Sequence, residues 1–144
     1  MTSANREQTL LPPQPVIAPE TAFFWEGLRE RQLRIQRCAD CGTLRHPPGP
    51  ICLACRSLRW DNVQSCGQGT LVAMTVVHQP QLMGFDYPLK VGIIALQEGT
   101  RIVVPLRGSS DALFIGASMQ VQFQDCDDGL RMPYFIASST SNSN

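Results

Sequence analysis

Two cysteine pairs constrain this sequence more than any other feature. Cys38 and Cys41 form one Cys-x-x-Cys motif. Cys52 and Cys55 form a second one, ten residues further along the chain. Two thiolates at this spacing can bind one ion from a tight turn, and a second such turn completes the tetrahedral four-sulfur shell that suits Zn²⁺. Gly42 supports the first turn, because glycine tolerates positive φ. The spacing therefore predicts one zinc ion with four cysteine ligands.

This ion is predicted to be structural. All four ligand positions are filled by the protein, which leaves no open position for the water or substrate of a catalytic zinc site. The segment 33–60 also has few long apolar runs, and so short a piece of chain needs a metal where a hydrophobic core is lacking. A rubredoxin-like iron site uses the same four ligands and is the less favoured alternative. Absorption spectra distinguish the two metals.

Length and composition narrow the class of protein. The chain has 144 residues, of which 43% are hydrophobic, enough for one domain with a real core. No apolar run reaches 18 residues, so no membrane span is expected. Residues 1–8 lack the apolar stretch of a secretory signal, which favours a cytoplasmic location. The six cysteines are then expected to be reduced or metal-bound.

Charge is balanced overall but segregated along the chain. Twelve basic residues face twelve acidic ones, and this neutrality argues against general nucleic-acid binding. Between Arg29 and Arg59, however, seven arginines stand against two acidic residues, a net charge of +5, and the remainder carries −5. The arginines near the cysteines can balance the formal −2 charge of a zinc tetrathiolate. The alternative is a patch for a phosphate-bearing ligand or an acidic partner.

The sequence after residue 60 has the texture of a β protein. Strand-like runs cover 70–77, 89–96, 101–106 and 130–137, and apolar residues alternate with glutamines around 119–124. Five strands in this length fit a barrel of the OB type, with the apolar segment 112–115 between the third and fourth strands. A small sandwich is the alternative. Gly92, inside the second run, predicts a bulge or bend.

The fold class is therefore mainly β, with an N-terminal helix, a rubredoxin-like four-cysteine zinc ribbon and a five-stranded OB-fold barrel. Phe24 and Leu28 lie four residues apart on one face of the amphipathic helix. We divide the chain into an arm predicted to be disordered, this helix, the ribbon, the barrel and a disordered tail, at residues 1–18, 19–32, 33–60, 61–138 and 139–144.

The order of helix, ribbon and barrel, together with short strings inside it, resembles the rubredoxin-like zinc-ribbon plus OB-fold family of acyl-CoA-associated proteins. The resemblance covers about residues 20–136. Gly49 and Ala54 depart from it, because the family often has arginine and proline there, but neither is a predicted metal ligand. The strings that carry the resemblance are Phe24–Leu28, Leu33–Cys38, Cys41–Gly42, Pro47–Pro48, Gly69–Thr70, Thr75–His78 and Glu98–Arg101.

The resemblance implies a non-catalytic accessory subunit. Members of the family dock on a thiolase, a hydroxymethylglutaryl-CoA synthase or a thiolase-like aldolase and help enclose the acyl-CoA that the partner processes. Some act in steroid side-chain or aromatic-acid degradation. This implies a thiolase-superfamily partner, acyl-CoA at a shared site and no catalytic residue on this chain. The alternative class is a nucleic-acid-binding module, since zinc ribbons and OB barrels both serve that purpose.

Candidate contact residues lie on the helix, in the segment 80–88 and at two cations that flank this segment. The segment 80–88 carries apolar side chains where a polar turn would suffice, and exposed apolar residues often indicate a contact. The alternative for the segment 80–88 is that its apolar side chains plug the end of the barrel. The alternative for Phe24 and Trp25 is that they pack on their own domain, and for Lys90 and Arg101 that they are solvated. Cys66 and Cys126 are interpreted as small side chains and not as nucleophiles. The candidate contacts with a ligand or partner are Phe24, Trp25, Leu82, Met83, Phe85, Tyr87, Lys90 and Arg101.

Overall fold

One short helix and eight strands follow each other along the part of the chain that the computed structural model describes, residues 17–81, 86–126 and 129–138. The strands form two antiparallel sheets, a three-stranded one in the order β2-β1-β3 and a five-stranded one in the order β6-β5-β4-β7-β8. The elements are α1 (Ala22–Arg29), β1 (Arg34–Cys38), β2 (Leu44–Arg45), β3 (Trp60–Gln64), β4 (Gln68–Val77), β5 (Leu89–Leu96), β6 (Arg101–Pro105), β7 (Ser118–Asp125) and β8 (Arg131–Ala137).

The five-stranded sheet curls into a nearly closed barrel. Its two outer strands in the hydrogen-bonding order, β6 and β8, approach each other where Leu106 and Phe135 form a parallel bridge. The N–H of Arg107 donates to the carbonyl of Phe135 at 3.0 Å, and the Phe135 ring is fully buried. Closing the sheet removes exposed strand edges, as an OB-fold barrel requires. The prediction of a mainly β chain with a five-stranded barrel is confirmed.

The bend in the barrel lies opposite the predicted position. Gly92 pairs in register with Met74, and the irregularity falls on the facing strand, between Leu71 and Ala73. Gly92 is required for space: a Cβ there would lie 2.7 Å from Cδ1 of Leu106 and 2.8 Å from Cδ1 of Leu71. The glycine therefore allows a close approach of core side chains, and the extra residue of β4 supplies the bulge.

The helix is shorter than the predicted 19–32. Residues 19–21 form a turn, and the helix runs over Ala22–Arg29. At its end Arg31 adopts a left-handed backbone with φ of 59°, and the N–H of Gln32 donates back to the carbonyl of Gly27 at 2.8 Å. This is the Schellman pattern, which ends a helix by capping its last carbonyl groups. The chain then turns directly into β1.

The helix, the ribbon and the barrel share one hydrophobic core. The helix contributes Phe23, Phe24 and Leu28, and β1 with its preceding loop contributes Leu33 and Ile35. These side chains pack against buried residues of the barrel, so the ribbon does not stand apart from the rest of the chain. The barrel members of this cluster are Leu71, Ile94, Leu96, Ile102, Val104, Leu106, Leu113, Ala117, Met119 and Phe135.

The sheet of the ribbon extends beyond the predicted boundary at residue 60. β3 runs from Trp60 to Gln64 and pairs with β1, with Asp61 opposite Arg37 and Val63 opposite Ile35. The barrel strands begin at Gln68. The predicted arm lies outside the described residues up to position 16, and so does the predicted tail, 139–144. Among the described residues, no helix has the length and apolar character needed to cross a membrane.

Candidate metal centre

The two Cys-x-x-Cys motifs fold into turns with the same hydrogen bonding. In the first knuckle, the N–H of Gly42 donates to the carbonyl of Cys38 at 3.0 Å, and Gly42 has φ of 80°. In the second, the N–H of Arg56 donates to the carbonyl of Cys52 at 2.7 Å, and Arg56 has φ of 66°. The residue after each motif thus takes the left-handed conformation that completes the turn. The two knuckles present their cysteines to a common centre.

The four sulfur atoms gather at distances that suit one ion. All Sγ atoms of Cys38, Cys41, Cys52 and Cys55 lie within 4.8 Å of one another. The separations are 3.5 Å between Cys38 and Cys55 and 3.7 Å between Cys41 and Cys52. A tetrahedron with metal–sulfur bonds of about 2.3 Å has edges of about 3.8 Å. The structure therefore brings together the four predicted ligands in an arrangement that fits a tetrahedral metal ion.

Backbone N–H groups favour the thiolate forms that a metal needs. The N–H of Cys41 points to Sγ of Cys38 at 3.5 Å and lowers the pKa of the Cys38 thiol to about 6, although burial opposes this shift. In the second knuckle, the N–H of Cys55 likewise lowers the pKa of Cys52. The thiolate is the species that binds metal. The turn of each knuckle thus favours the thiolate form of its first cysteine, Cys38 or Cys52.

A polar network joins the two knuckles outside the sulfur cluster. Asp40, between the cysteines of the first knuckle, accepts hydrogen bonds from the hydroxyl of Ser57 and, at 2.5 Å, from the guanidinium of Arg59. The Ser57 hydroxyl and then Arg59 lower the pKa of the Asp40 carboxyl. These hydrogen bonds fix one cysteine turn against the other.

Ion pairs with carboxylates neutralise much of the positive charge of the segment 29–59. Arg37 donates through two nitrogens to the Asp61 carboxylate across the sheet, both at 2.8 Å. Further pairs join Arg34 to Glu30, Arg59 to Asp40 and Arg31 to Asp125. These contacts reduce the field that a nucleic acid would require. Among the described residues, no ion pair is found for Arg56.

The turn after β2 is held by a buried glutamine that sequence analysis did not identify. Oε1 of Gln36 accepts from the N–H of Gly49 at 2.8 Å, and its Nε2 donates to the carbonyl of the same residue at 3.0 Å. Arg45 donates to that carbonyl as well, at 3.0 Å. Nearby, His46 packs on Phe24 with ring centroids 5.5 Å apart, and burial lowers the pKa of His46. These contacts join the ribbon to the helix.

The two aromatic residues predicted as contacts lie on or near the core. Phe24 is buried and packs on Trp25 in an edge-to-face arrangement with centroids 5.2 Å apart. Trp25 is half-buried against the shared core. This is the packing on the chain's own domain that the sequence left open as an alternative. Part of the Trp25 side chain remains exposed to solvent.

The remaining predicted contacts are dispersed. Leu82, Met83 and Phe85 lie outside the described residues, and Tyr87 is half-buried. Lys90 donates from Nζ to the carbonyl of Gly108 at 2.7 Å, whereas Arg101 is exposed at the start of β6. Since Arg101 pairs with Ala95 on β5, five residues beyond Lys90, the two cations are about 17 Å apart along the strand. The structure does not bring them into one site.

Glu98 joins the ribbon to the barrel, a role that sequence analysis did not identify. Glu98 lies in the turn between β5 and β6, and its carboxylate accepts from the Ser65 hydroxyl and from the N–H of Cys66, both at 2.8 Å. Ser65 and Cys66 belong to the link between β3 and β4. The sequence predicted the turn at 97–100 but gave no indication of its long-range partners.

Family models cover most of the described chain. The model described as "ChsH2, rubredoxin-like zinc ribbon domain" matches residues 25–61, and that described as "ChsH2, C-terminal OB-fold domain" matches residues 62–124. The protein class defined by the fold and the cysteine cluster is thus a zinc ribbon joined to an OB barrel. The chain belongs to the ChsH2 family, also called DUF35, and the resemblance noted from the sequence is confirmed.

Several curated proteins are similar to this chain. A "Probable enoyl-CoA hydratase alpha subunit" of Thermomonospora curvata is 41% identical over 126 residues, 87% of this chain and 40% of that protein. The "3-oxo-4,17-pregnadiene-20-carboxyl-CoA hydratase alpha subunit" of Mycobacterium tuberculosis is 38% identical over 80% of this chain and 37% of its own length. The chain thus spans about two fifths of the length of these relatives. A "DUF35 domain-containing scaffold protein" of Methanocaldococcus jannaschii is 31% identical over 74% of this chain and 81% of that protein.

Solved structures share the fold. A chain of the "Ltp2-ChsH2(DUF35) aldolase" superposes with a TM-score of 0.80 and 40% identity, covering 86% of this chain and 98% of that one. A DUF35-family protein of unknown function from Sulfolobus solfataricus superposes with a TM-score of 0.58 at 16% identity, covering 84% of this chain and 87% of its own. The second match concerns the fold alone.

Proposed function

We propose that this chain is a non-catalytic, zinc-binding accessory subunit. It docks on a thiolase-superfamily enzyme, a thiolase or a thiolase-like aldolase, and helps form the acyl-CoA site of that partner. The observation that carries the proposal is the match to nearly a whole chain of the Ltp2-ChsH2(DUF35) aldolase at 40% identity. The shared region is the helix, ribbon and barrel described above.

The names of the relatives support the substrate class in this proposal. Two of them are named as alpha subunits of CoA-ester hydratases, one of them for a steroid-derived carboxyl-CoA. The proposed partner therefore processes a bulky acyl-CoA, as in steroid side-chain or aromatic-acid degradation. This chain spans only about two fifths of those subunits, and the proposal assigns it no hydratase activity. In our proposal the chain contributes stability and a wall of the shared site, and the partner contributes the chemistry.

The metal in this proposal is one structural Zn²⁺ held by the four clustered cysteines. The sulfur separations of 3.5 and 3.7 Å support a four-thiolate ion, and the protein supplies every ligand. The bound ion would neutralise thiolates that would otherwise repel one another and would fix the two knuckles together. Elemental analysis should find one zinc per chain, and strong visible absorption of an iron–thiolate centre would contradict the proposal.

Replacing one ligand tests the structural role of the metal. Cys38→Ser or Cys55→Ser should lower the zinc content well below one per chain and unfold the ribbon, because three thiolates hold the ion more weakly and metal binding is coupled to folding. Cys66→Ser is the matched control, since Cys66 is exposed and lies outside the cluster. Full zinc content and full partner binding in the Cys38 or Cys55 variant would refute the role of the metal as a staple.

Complex formation tests the docking role. The purified chain and purified Ltp2 subunit, mixed and separated by size-exclusion chromatography with light scattering, should elute together near one-to-one. The chain alone should show no aldolase, thiolase or hydratase turnover with CoA esters. Absence of a complex would contradict the docking proposal, and turnover by the isolated chain would contradict its non-catalytic character. Tight binding of nucleic acid would favour the alternative class.

A further inference from the structure

The second knuckle exposes an unusual amount of apolar surface. Leu53, between its two cysteines, is 92% exposed. Leu58 and Ile51, on either side of the motif, are 71% and 39% exposed. We call the segment 51–58 the second-knuckle surface. Exposed large apolar side chains gathered in one short segment indicate a contact with another molecule, because each of them costs free energy in water.

Metal binding does not explain these apolar residues. The first knuckle uses the same hydrogen bonds and the same number of ligands, yet it carries Ala39 where the second carries Leu53, and Leu44, which corresponds to Leu58, is half-buried against the core. Asp40 is engaged in the network with Ser57. The two knuckles therefore differ in exposed apolar surface: the first has an alanine and a half-buried leucine at the positions where the second has two exposed leucines.

Arg56 gives a second, independent observation. Its φ of 66° lies in the left-handed region, and the corresponding residue of the first knuckle is Gly42. A side chain destabilises this conformation relative to glycine, so arginine at this position has a cost in folding. Residues 51–59 contain no acidic residue, and no ion pair is found for Arg56 among the described residues. The position therefore presents a free cation beside the leucines.

We propose that the second-knuckle surface docks into an apolar pocket with an acidic rim on the partner enzyme. The inference rests on the proposed function and names the surface through which it acts. Arginine is enriched in protein interfaces, and the buried centre of an interface is more apolar than its polar rim, so exposed leucines beside an arginine match that arrangement. A phosphate backbone would match Arg56 but not Leu53 and Leu58, so a protein partner fits the segment better than a nucleic acid does.

The test measures the dissociation constant between the zinc-loaded chain and purified Ltp2 subunit by calorimetry. Leu53→Asp and Leu58→Asp should each raise it about thirtyfold, because each substitution places a charge in an apolar contact. The matched control is the pair Phe114→Asp and Ile115→Asp. These two residues are similarly exposed, at 59% and 62%, but lie between β6 and β7, where residues 109–118 contain Asp111 and no basic residue. Without a cation to match an acidic rim, their variants should leave the constant unchanged.

Variants of Arg56 separate docking from folding. Arg56→Gly should raise the melting temperature, because it relieves the left-handed backbone, and should weaken binding about tenfold, because it removes the charge. Arg56→Lys retains the charge and should bind nearly as the wild type does. A purely structural arginine would not produce a more stable variant that binds less well. All variants should retain one zinc per chain.

The outcomes separate the inference from the function on which it rests. Unchanged affinity in Leu53→Asp and Leu58→Asp, with the wild type binding normally, would overturn the inference and leave the proposed function intact. Loss of binding only in the Phe114 and Ile115 variants would place the docking surface on the barrel and would equally overturn it. If the wild type does not bind Ltp2, the proposed function fails and the inference fails with it.

Discussion

The Glu98 carboxylate should contribute measurably to stability by joining the ribbon to the barrel. It accepts two hydrogen bonds at 2.8 Å, from the hydroxyl of Ser65 and the N–H of Cys66. A hydrogen bond to a charged group contributes about 1.5–3 kcal/mol. In Glu98→Gln one oxygen still accepts, and the new NH₂ group faces the other donor. Because Glu98 is only partly buried, solvent screening reduces this contribution, and we expect a loss of about 1–2 kcal/mol at pH 7.

This contribution should depend on pH with a definite sign. Partial burial opposes ionisation of Glu98, but the Cys66 N–H and the Ser65 hydroxyl together hold its pKa below the usual 4.5. A lowered folded pKa means that the stabilisation is complete above about pH 4.5 and is lost as the pH falls through the folded value. The difference in unfolding free energy between wild type and Glu98→Gln should therefore shrink below pH 4.5.

Urea denaturation followed by tryptophan fluorescence provides the assay, since Trp60 lies on β3, next to the link that Glu98 holds. Metal release at low pH affects both proteins, so their difference isolates the carboxylate. Glu26→Gln, which alters an exposed carboxylate on α1, is the matched control and should be near neutral. Equal stability of wild type and Glu98→Gln at pH 7, or a gap that persists unchanged well below pH 4, would refute the reasoning.

Two further predictions concern the core and the ribbon. Gly92→Ala should lower the unfolding free energy by about 1–3 kcal/mol, because the new Cβ would lie 2.7 Å from Cδ1 of Leu106. The matched control is Gly49→Ala, since a Cβ at Gly49 would meet nothing within 4 Å. Equal effects of the two substitutions in calorimetry would contradict the packing argument. Burial lowers the pKa of His46 below 6.5, so its contribution to stability is present above about pH 6.5 and is lost as the pH falls toward the folded value. His46→Gln should therefore flatten the pH dependence of denaturation in that range. The matched control is His78→Gln, which changes an exposed histidine.

The features that sequence predicted well depend on local patterns. Cysteine spacing acts within each knuckle, and alternation along a strand follows from the direction of successive side chains. Thus β5 has the predicted bounds 89–96, and the alternating segment around Met119 lies in β7. The count of five barrel strands follows from these runs and the turns between them. The choice of a barrel over a sandwich depended on the approach of β6 to β8, which no local pattern encodes.

The features that sequence missed depend on partners that are distant along the chain. Gln36 is fully buried beside the buried Ile35, which violates simple alternation, and its partner Gly49 lies 13 residues away. Glu98 and Ser65 are 33 residues apart. β3 is polar for most of its length, so only its pairing with β1 assigns it to the ribbon. Polar side chains of this kind are recognised when the fold has brought their partners together.

The arrangement of the ribbon explains how exposed leucines can serve docking without weakening the fold. In a segment this short, Leu53 and Leu58 would ordinarily be needed for a core. Here the cysteine cluster and the Asp40 network take over that task, which leaves both leucines facing solvent on a turn that is already fixed. A surface ordered before association loses little conformational entropy on binding. Loss of a cysteine ligand should therefore weaken partner binding through the order of the knuckle, even if the metal itself never contacts the partner.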